Sequence, residues 1–248
     1  MKITNFEALI DERTMKKKTM IVLMSAFLLL SAFSCGGGNK ANSTSEQSEE
    51  TAVNVPQFDA DSAYLYVKNQ VDFGPRVPNT KEHVACGNYL AGQLEAFGAQ
   101  VTNQYADLIA YDGTLLKARN IIGSYKPESK KRIALFAHWD TRPWADNDPD
   151  EKNHNTPILG ANDGASGVGA LLEIARLVNQ QQPELGIDII LLDAEDYGAP
   201  QFYTGQHKEE FWCLGSQYWA RNPHVQGYNA RFGILLDMVG GEGLSLIH

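Results

Sequence analysis

The 248 residues are 43% hydrophobic and 21% charged, an ordinary globular composition with enough apolar side chains for one domain with a sizeable core. A formal net charge of -9 excludes the basic surface that a nucleic-acid partner requires. The acidity by itself selects no substrate.

Met15 precedes Lys16, Lys17 and Lys18, an apolar run over 20–33, and then Ser34-Cys35. This is the layout of a signal peptide, with an apolar part shorter than the roughly 20 residues of a spanning helix. Acidic residues precede the lysines in 1–14, so translation is expected to start at Met15, with 15–34 as the leader. Ala32-Phe33-Ser34-Cys35 resembles a bacterial lipobox, although Phe33 is bulkier than usual there. The expectation is a lipid anchor on Cys35 that holds the protein at a membrane of the bacterial envelope, several acyl chains giving stable attachment. The alternative is a plain cleaved leader. Residues 35–57 are rich in Gly, Ser, Asn, Thr and Glu and read as a flexible tether, leaving 58–248 as the folded domain. Cys86 and Cys213 either pair in an oxidising compartment or remain two buried thiols.

In the folded part, Asp61 is placed to cap a helix ending at Val71, with Ala63, Tyr66, Val67 and Val71 on one side. Asn79 or Thr80 starts a second helix that Gly98 stops, its apolar positions being Val84, Tyr89, Leu90, Leu94 and Phe97. Residues 101–108 and 118–125 read as strands. Three continuous apolar runs follow, at 133–137, 187–192 and 233–236, the pattern of strands covered on both faces. Between the first two, Val168, Leu171, Leu172, Ala175 and Val178 form a helical stripe. The alternation implies an α/β three-layer sandwich with a mixed, largely parallel central sheet.

Each apolar run ends in polar chemistry: His138-Trp139-Asp140, then Asp193-Ala194-Glu195-Asp196, then Asp237, with Asn162-Asp163-Gly164 just before the helix. Open α/β sheets bind ligands beyond the carboxyl ends of their strands. An Asp before a helix is ordinarily a cap, acids after a strand are ordinarily solvated, and a lone His is as often packed as ligating. Their joint placement is different, because several acids at neighbouring strand ends repel unless a cation or shared protons compensate.

The segments AHWDTRPWAD (137–146), GANDGASGVGALLEIAR (160–176), LLDAEDYG (191–198) and ILLDMVG (234–240) resemble the zinc aminopeptidase-like metallopeptidases. The HWDTRPWAD form, and DAED in place of a paired Glu-Glu, are similar to the bacterial glutaminyl cyclases of that group. The resemblance implies an enzyme that converts the N-terminal glutamine of peptides or proteins to pyroglutamate and releases ammonia, using one zinc. It implies Asp163 and Asp196 as zinc ligands, Glu195 as general acid/base, and Asp237 as its hydrogen-bonding neighbour. His138 matches a metal ligand of the two-metal peptidases that lies beside the zinc in the cyclases. An aromatic pocket for the glutamine stem is expected, with Trp139, Trp144 and Trp212 as candidates and core packing as their alternative.

The family's third ligand, a His from a loop well after the Asp237 strand, has no match before His248. The expectation is a chain truncated at its C-terminus, with an uncovered sheet edge and no activity on its own. Two further readings stay open. One is a two-zinc aminopeptidase using His138, Asp163, Asp196 and Asp237, with Glu195 activating a water. The other is a surface lipoprotein that binds rather than catalyses. The sequence contains no HExxH, and the spacing of a nucleophile elbow fails at Val168.

Overall fold

A computed structural model describes residues 54–241. The expected start, leader and Cys35 anchor lie outside the described residues, as does most of the tether. Among the described residues no helix is long and apolar enough to cross a membrane.

The elements run α1 (Ala60–Val71), α2 (Lys81–Ala96), β1 (Gln100–Ile109), β2 (Leu115–Tyr125), β3 (Arg132–His138), α3 (Ala165–Gln180), β4 (Gly186–Leu192), α4 (Leu214–Arg221) and β5 (Gly233–Leu235). Helix α1 begins two residues earlier than expected. Asp59, not Asp61, is its cap, and its carboxylate accepts the amides of Asp61 and Ser62. Thr80 caps α2 by accepting the amide of His83. Val84 points outward from this helix, and the buried stripe is instead His83, Cys86, Gly87, Leu90, Ala91 and Leu94.

The sheet order is β1-β2-β4-β3-β5. The three apolar runs form its parallel part, with His138 of β3 beside Leu192 of β4 and Phe136 beside Leu235 of β5. β2 pairs antiparallel with both β1 and β4, so the sheet is mixed. Helices α2 and α3 cover one face, where Leu90, Leu94, Leu171 and Leu172 pack on Ile121, Ile189 and Leu191, and α1 packs against α3. On the other face Ile122, Ala134, Ile190 and Leu192 meet Trp219 of α4 and Tyr228. Each fully buried Leu or Ile contributes about 1.5–3 kcal/mol relative to exposure, which accounts for runs that are apolar on both faces. The third run departs from this pattern: Ile234 and Leu235 are exposed on an edge strand. Cys86 and Cys213 are separate free thiols.

Candidate metal centre at the strand ends

Strand β3 delivers His138 at its last position, and the parallel register puts Leu192 alongside. Four residues after Leu192 the chain has already presented Glu195 and Asp196, because Ala194 turns it sharply with φ 52°. That conformation costs an L-residue about 1–2 kcal/mol, so its neighbours must hold it in place. They do. Leu214 and Gly215 donate their amides to the carbonyls of Ala194 and Asp193, at 2.9 and 3.0 Å. Gly215 cannot be larger: a Cβ there would sit 2.1 Å from the Asp193 carbonyl oxygen.

Asp163 is not a cap. The N-cap of α3 is Gly164 with φ 88° and no side-chain capping bond, and a Cβ on Gly164 would stand 2.8 Å from the Asp140 carbonyl oxygen. The Asp163 carboxylate is therefore free to face the strand ends. Its Oδ1 lies 2.9 Å from His138 Nε2, while Asp237 Oδ1 lies 3.6 Å from the same nitrogen. Two donor triads share this imidazole, His138 with Asp163 and Asp196, and His138 with Glu195 and Asp237. Within each, one potential ligand atom per residue falls inside 4.8 Å of the others. The floor of the cluster is dry and its rim is wet. The His138 side chain is 2% exposed, Asp163 33% and Asp237 41%.

Charge is correspondingly crowded. Burial raises Glu195 to about 7, with Asp140, Asp237 and Asp163 adding to the shift. Burial, then Asp140, Asp163 and Glu195, push Asp196 up to about 8. Asp163 is held below the usual carboxylate range by its hydrogen bond with His138. Burial opposes charge on His138, yet its contacts with Asp140, Asp163 and Asp237 outweigh that and raise its pKa above the ordinary imidazole value. Asp140 Oδ1 is 3.5 Å from His138 Nδ1, too long for an ordinary hydrogen bond.

Asp196 Oδ2 is buried and has no hydrogen-bond donor among the described residues. A buried carboxylate oxygen without a partner is costly, and a divalent cation between Asp163 and Asp196 would satisfy it. The donors present, carboxylate oxygens with an imidazole nearby, suit zinc. The residues fit a metal.

The structure thus brings Asp163, Glu195, Asp196 and Asp237 together around His138. It does not bring Trp139 to them. Trp139 is fully buried, stacks on His83 with ring centroids 4.3 Å apart, and donates its indole N–H to the Arg119 carbonyl. It cannot wall a substrate pocket. Trp212 is half-buried, packed on Gly198 and covered by the Arg142 guanidinium at 4.8 Å. Trp144 meets Tyr111 and Tyr197 edge-on.

Several further residues support the cluster. Asp140 is completely buried, and its two oxygens accept the amides of Glu195 and Asp196, each at 3.1 Å. Arg142 pairs with Asp146 and donates to the carbonyls of Asp196, Gly198 and Ala199, which fixes the loop after the acid pair. Arg76, fully buried, donates to the carbonyls of Trp139 and Gly160, tying the loop before Asp163 to the end of β3. The HWD pattern marks Asp140 as a strand-end acid. Arg142 stands inside the HWDTRPWAD segment, whereas nothing local marks Arg76.

Among solved structures, the chain is similar to Bacteroides thetaiotaomicron glutaminyl cyclase bound to N-acetylhistamine, 94% identical over 77% of this chain with a TM-score of 0.76. It is equally similar to a leucine aminopeptidase precursor from the same organism, at 94% identity, 77% coverage and a TM-score of 0.76. Tannerella forsythia glutaminyl cyclase is 60% identical over 76% of this chain, with a TM-score of 0.73. The chain spans 65%, 66% and 64% of these three proteins, just under two-thirds of their length. The Peptidase family M28 model matches residues 120–247, more than half of the sequence, and takes in every acid of the cluster. The chain belongs to peptidase family M28.

Proposed function

We propose that this domain is the catalytic part of a zinc-dependent glutaminyl-peptide cyclotransferase, held at a membrane of the cell envelope by lipid on Cys35. Its substrates are peptides or proteins that begin with glutamine. The observation that carries the reading is the convergence of Asp163, Glu195, Asp196 and Asp237 beside His138. High identity to solved glutaminyl cyclases supports it.

Asp163 and Asp196 are the residues that would hold the zinc, which supplies a Lewis acid for the glutamine γ-carbonyl. The substrate's own α-amine is the nucleophile, so no water is consumed. Glu195 takes a proton from that amine as its nitrogen bonds to the γ-carbonyl carbon. It returns a proton to the side-chain nitrogen as the amide bond breaks and ammonia leaves. Asp237, whose carboxylate comes within 4.8 Å of that of Glu195, takes the role of its acidic neighbour. Trp212, half-buried under Arg142, is the aromatic residue assigned here to hold the glutamine stem. Holding amine and carbonyl together supplies much of the remaining rate.

One observation favours a second reading. His138 Nε2 lies between Asp163 and Asp237, as in a two-metal peptidase that would use His138 as a ligand. Incubating the full-length protein with glutaminyl-peptides and with leucyl-anilides separates the two. Ammonia release from the first without anilide hydrolysis supports the cyclase, and the reverse outcome supports the peptidase.

A further inference from the structure

We propose that His83, on helix α2, is a positioning residue for the acid cluster, acting through Asp193 and Trp139. Helix α2 contributes no residue to the cluster, yet His83 touches both of the turns that build it. Its Nε2 lies 3.0 and 2.9 Å from the two oxygens of Asp193, the residue that leads into Ala194-Glu195-Asp196. Its ring stacks on Trp139, at 4.3 Å and 17°, and Trp139 is the residue between His138 and Asp140.

The Asp193 carboxylate is the centre of this arrangement. It is fully buried, and beyond His83 it accepts the amides of Arg119 at 2.6 Å and Ala194 at 2.7 Å. Its own amide donates to Asn120 Oδ1 at 2.9 Å. Among the described residues, His83 is the only side chain that donates to this carboxylate. Remove that donor and a buried carboxylate is left short of a partner, at the position from which Ala194 is driven into its left-handed turn. The next two amides, of Glu195 and Asp196, belong to Asp140. His83 therefore braces one turn by hydrogen bonding and the other by stacking, and keeps the general acid/base and one candidate ligand in register with His138 and Asp163. His83 itself is 3% exposed and cannot reach substrate.

The test compares His83→Leu, which fills the space without a donor, with His83→Gln, which retains an N–H. Amide hydrogen exchange is followed by mass spectrometry on peptides covering 193–198, with peptides from β3 and β4 as the internal control for folding. His83→Leu is expected to speed exchange over 193–196 by about tenfold to a hundredfold, with β3 and β4 unchanged and His83→Gln close to wild type. Unchanged exchange over 193–196 in His83→Leu overturns the proposal. So does an equal speeding across β3 and β4 in both variants, which marks a packing role only. The role in turnover rests on the cyclase reading, where His83→Leu is expected to lower kcat about tenfold or more at an unchanged KM, with recovery in His83→Gln. Absence of cyclisation in the wild-type full-length protein would count against that reading alone, since the exchange result stands without it.

Discussion

Asp140 Oδ2 accepts the main-chain N–H of Asp196 at 3.1 Å, so the turn after β3 holds the turn after β4. The other oxygen of the same carboxylate holds Glu195 in the same way. Removing it in Asp140→Ala frees both amides without touching either acidic side chain. Supporting groups of this kind set metal affinity by roughly 10–100-fold. Zinc affinity of Asp140→Ala, measured by competition with a chelating dye, is expected to fall by that factor. An affinity equal to wild type would show that the two turns hold themselves.

Glu195→Gln keeps the size and main-chain bonds of the residue and removes its ability to take a proton. Turnover of a glutaminyl-peptide is expected to fall about 10²–10⁴-fold with KM little changed, the usual loss for an acid/base group. Zinc content should be retained, since Asp163 and Asp196 are intact. Loss of zinc together with activity would make Glu195 a ligand instead.

At the opposite end of the parallel strands, Asp188 is fully buried and takes hydrogen bonds from Ser124, Tyr228 and both Nε and Nη2 of Arg132. Burial alone would raise its pKa, but Arg132, Ser124 and Tyr228 together hold it below the ordinary value. A depressed carboxylate contributes stability that is fully present above the unfolded-state value, about 4, and is lost as the pH falls through the folded-state value. Asp188→Asn should cost roughly 3–5 kcal/mol at pH 7, because it strands Arg132 in a buried position. Urea denaturation at pH 7 and near pH 3 checks this, with the gap between wild type and variant narrowing at low pH. A gap that stays constant would contradict the assignment.

Much of this architecture is legible in the sequence because it rests on local patterns. The apolar runs behind β3 and β4 are buried on both faces, and strand ends are where α/β sheets collect their chemistry, so His138, Glu195, Asp196 and Asp237 could be grouped without coordinates. Trp139 shows where such reading goes wrong. An aromatic residue next to a site histidine invites a pocket role, but neighbouring residues at a strand end point to opposite sides, so a residue beside His138 turns into the core. Asp59 displaces Asp61 as a cap by two positions, an ambiguity that adjacent aspartates always leave. The brace formed by Asp140, Asp193 and His83 was out of reach for another reason. Its contacts join residues 55 to 110 positions apart, and no local periodicity records them. Val84 carries the same lesson, since the helix turns His83 rather than Val84 inward.

A single divalent cation shared by Asp163 and Asp196 underlies the proposed chemistry. Anomalous diffraction at the zinc edge from crystals of the full-length protein tests this most directly. One zinc between the Asp163 and Asp196 carboxylates, abolished in Asp163→Asn, is the predicted result. A pair of zincs bound also by His138 and Asp237, or zinc bound elsewhere with both carboxylates free, would contradict it.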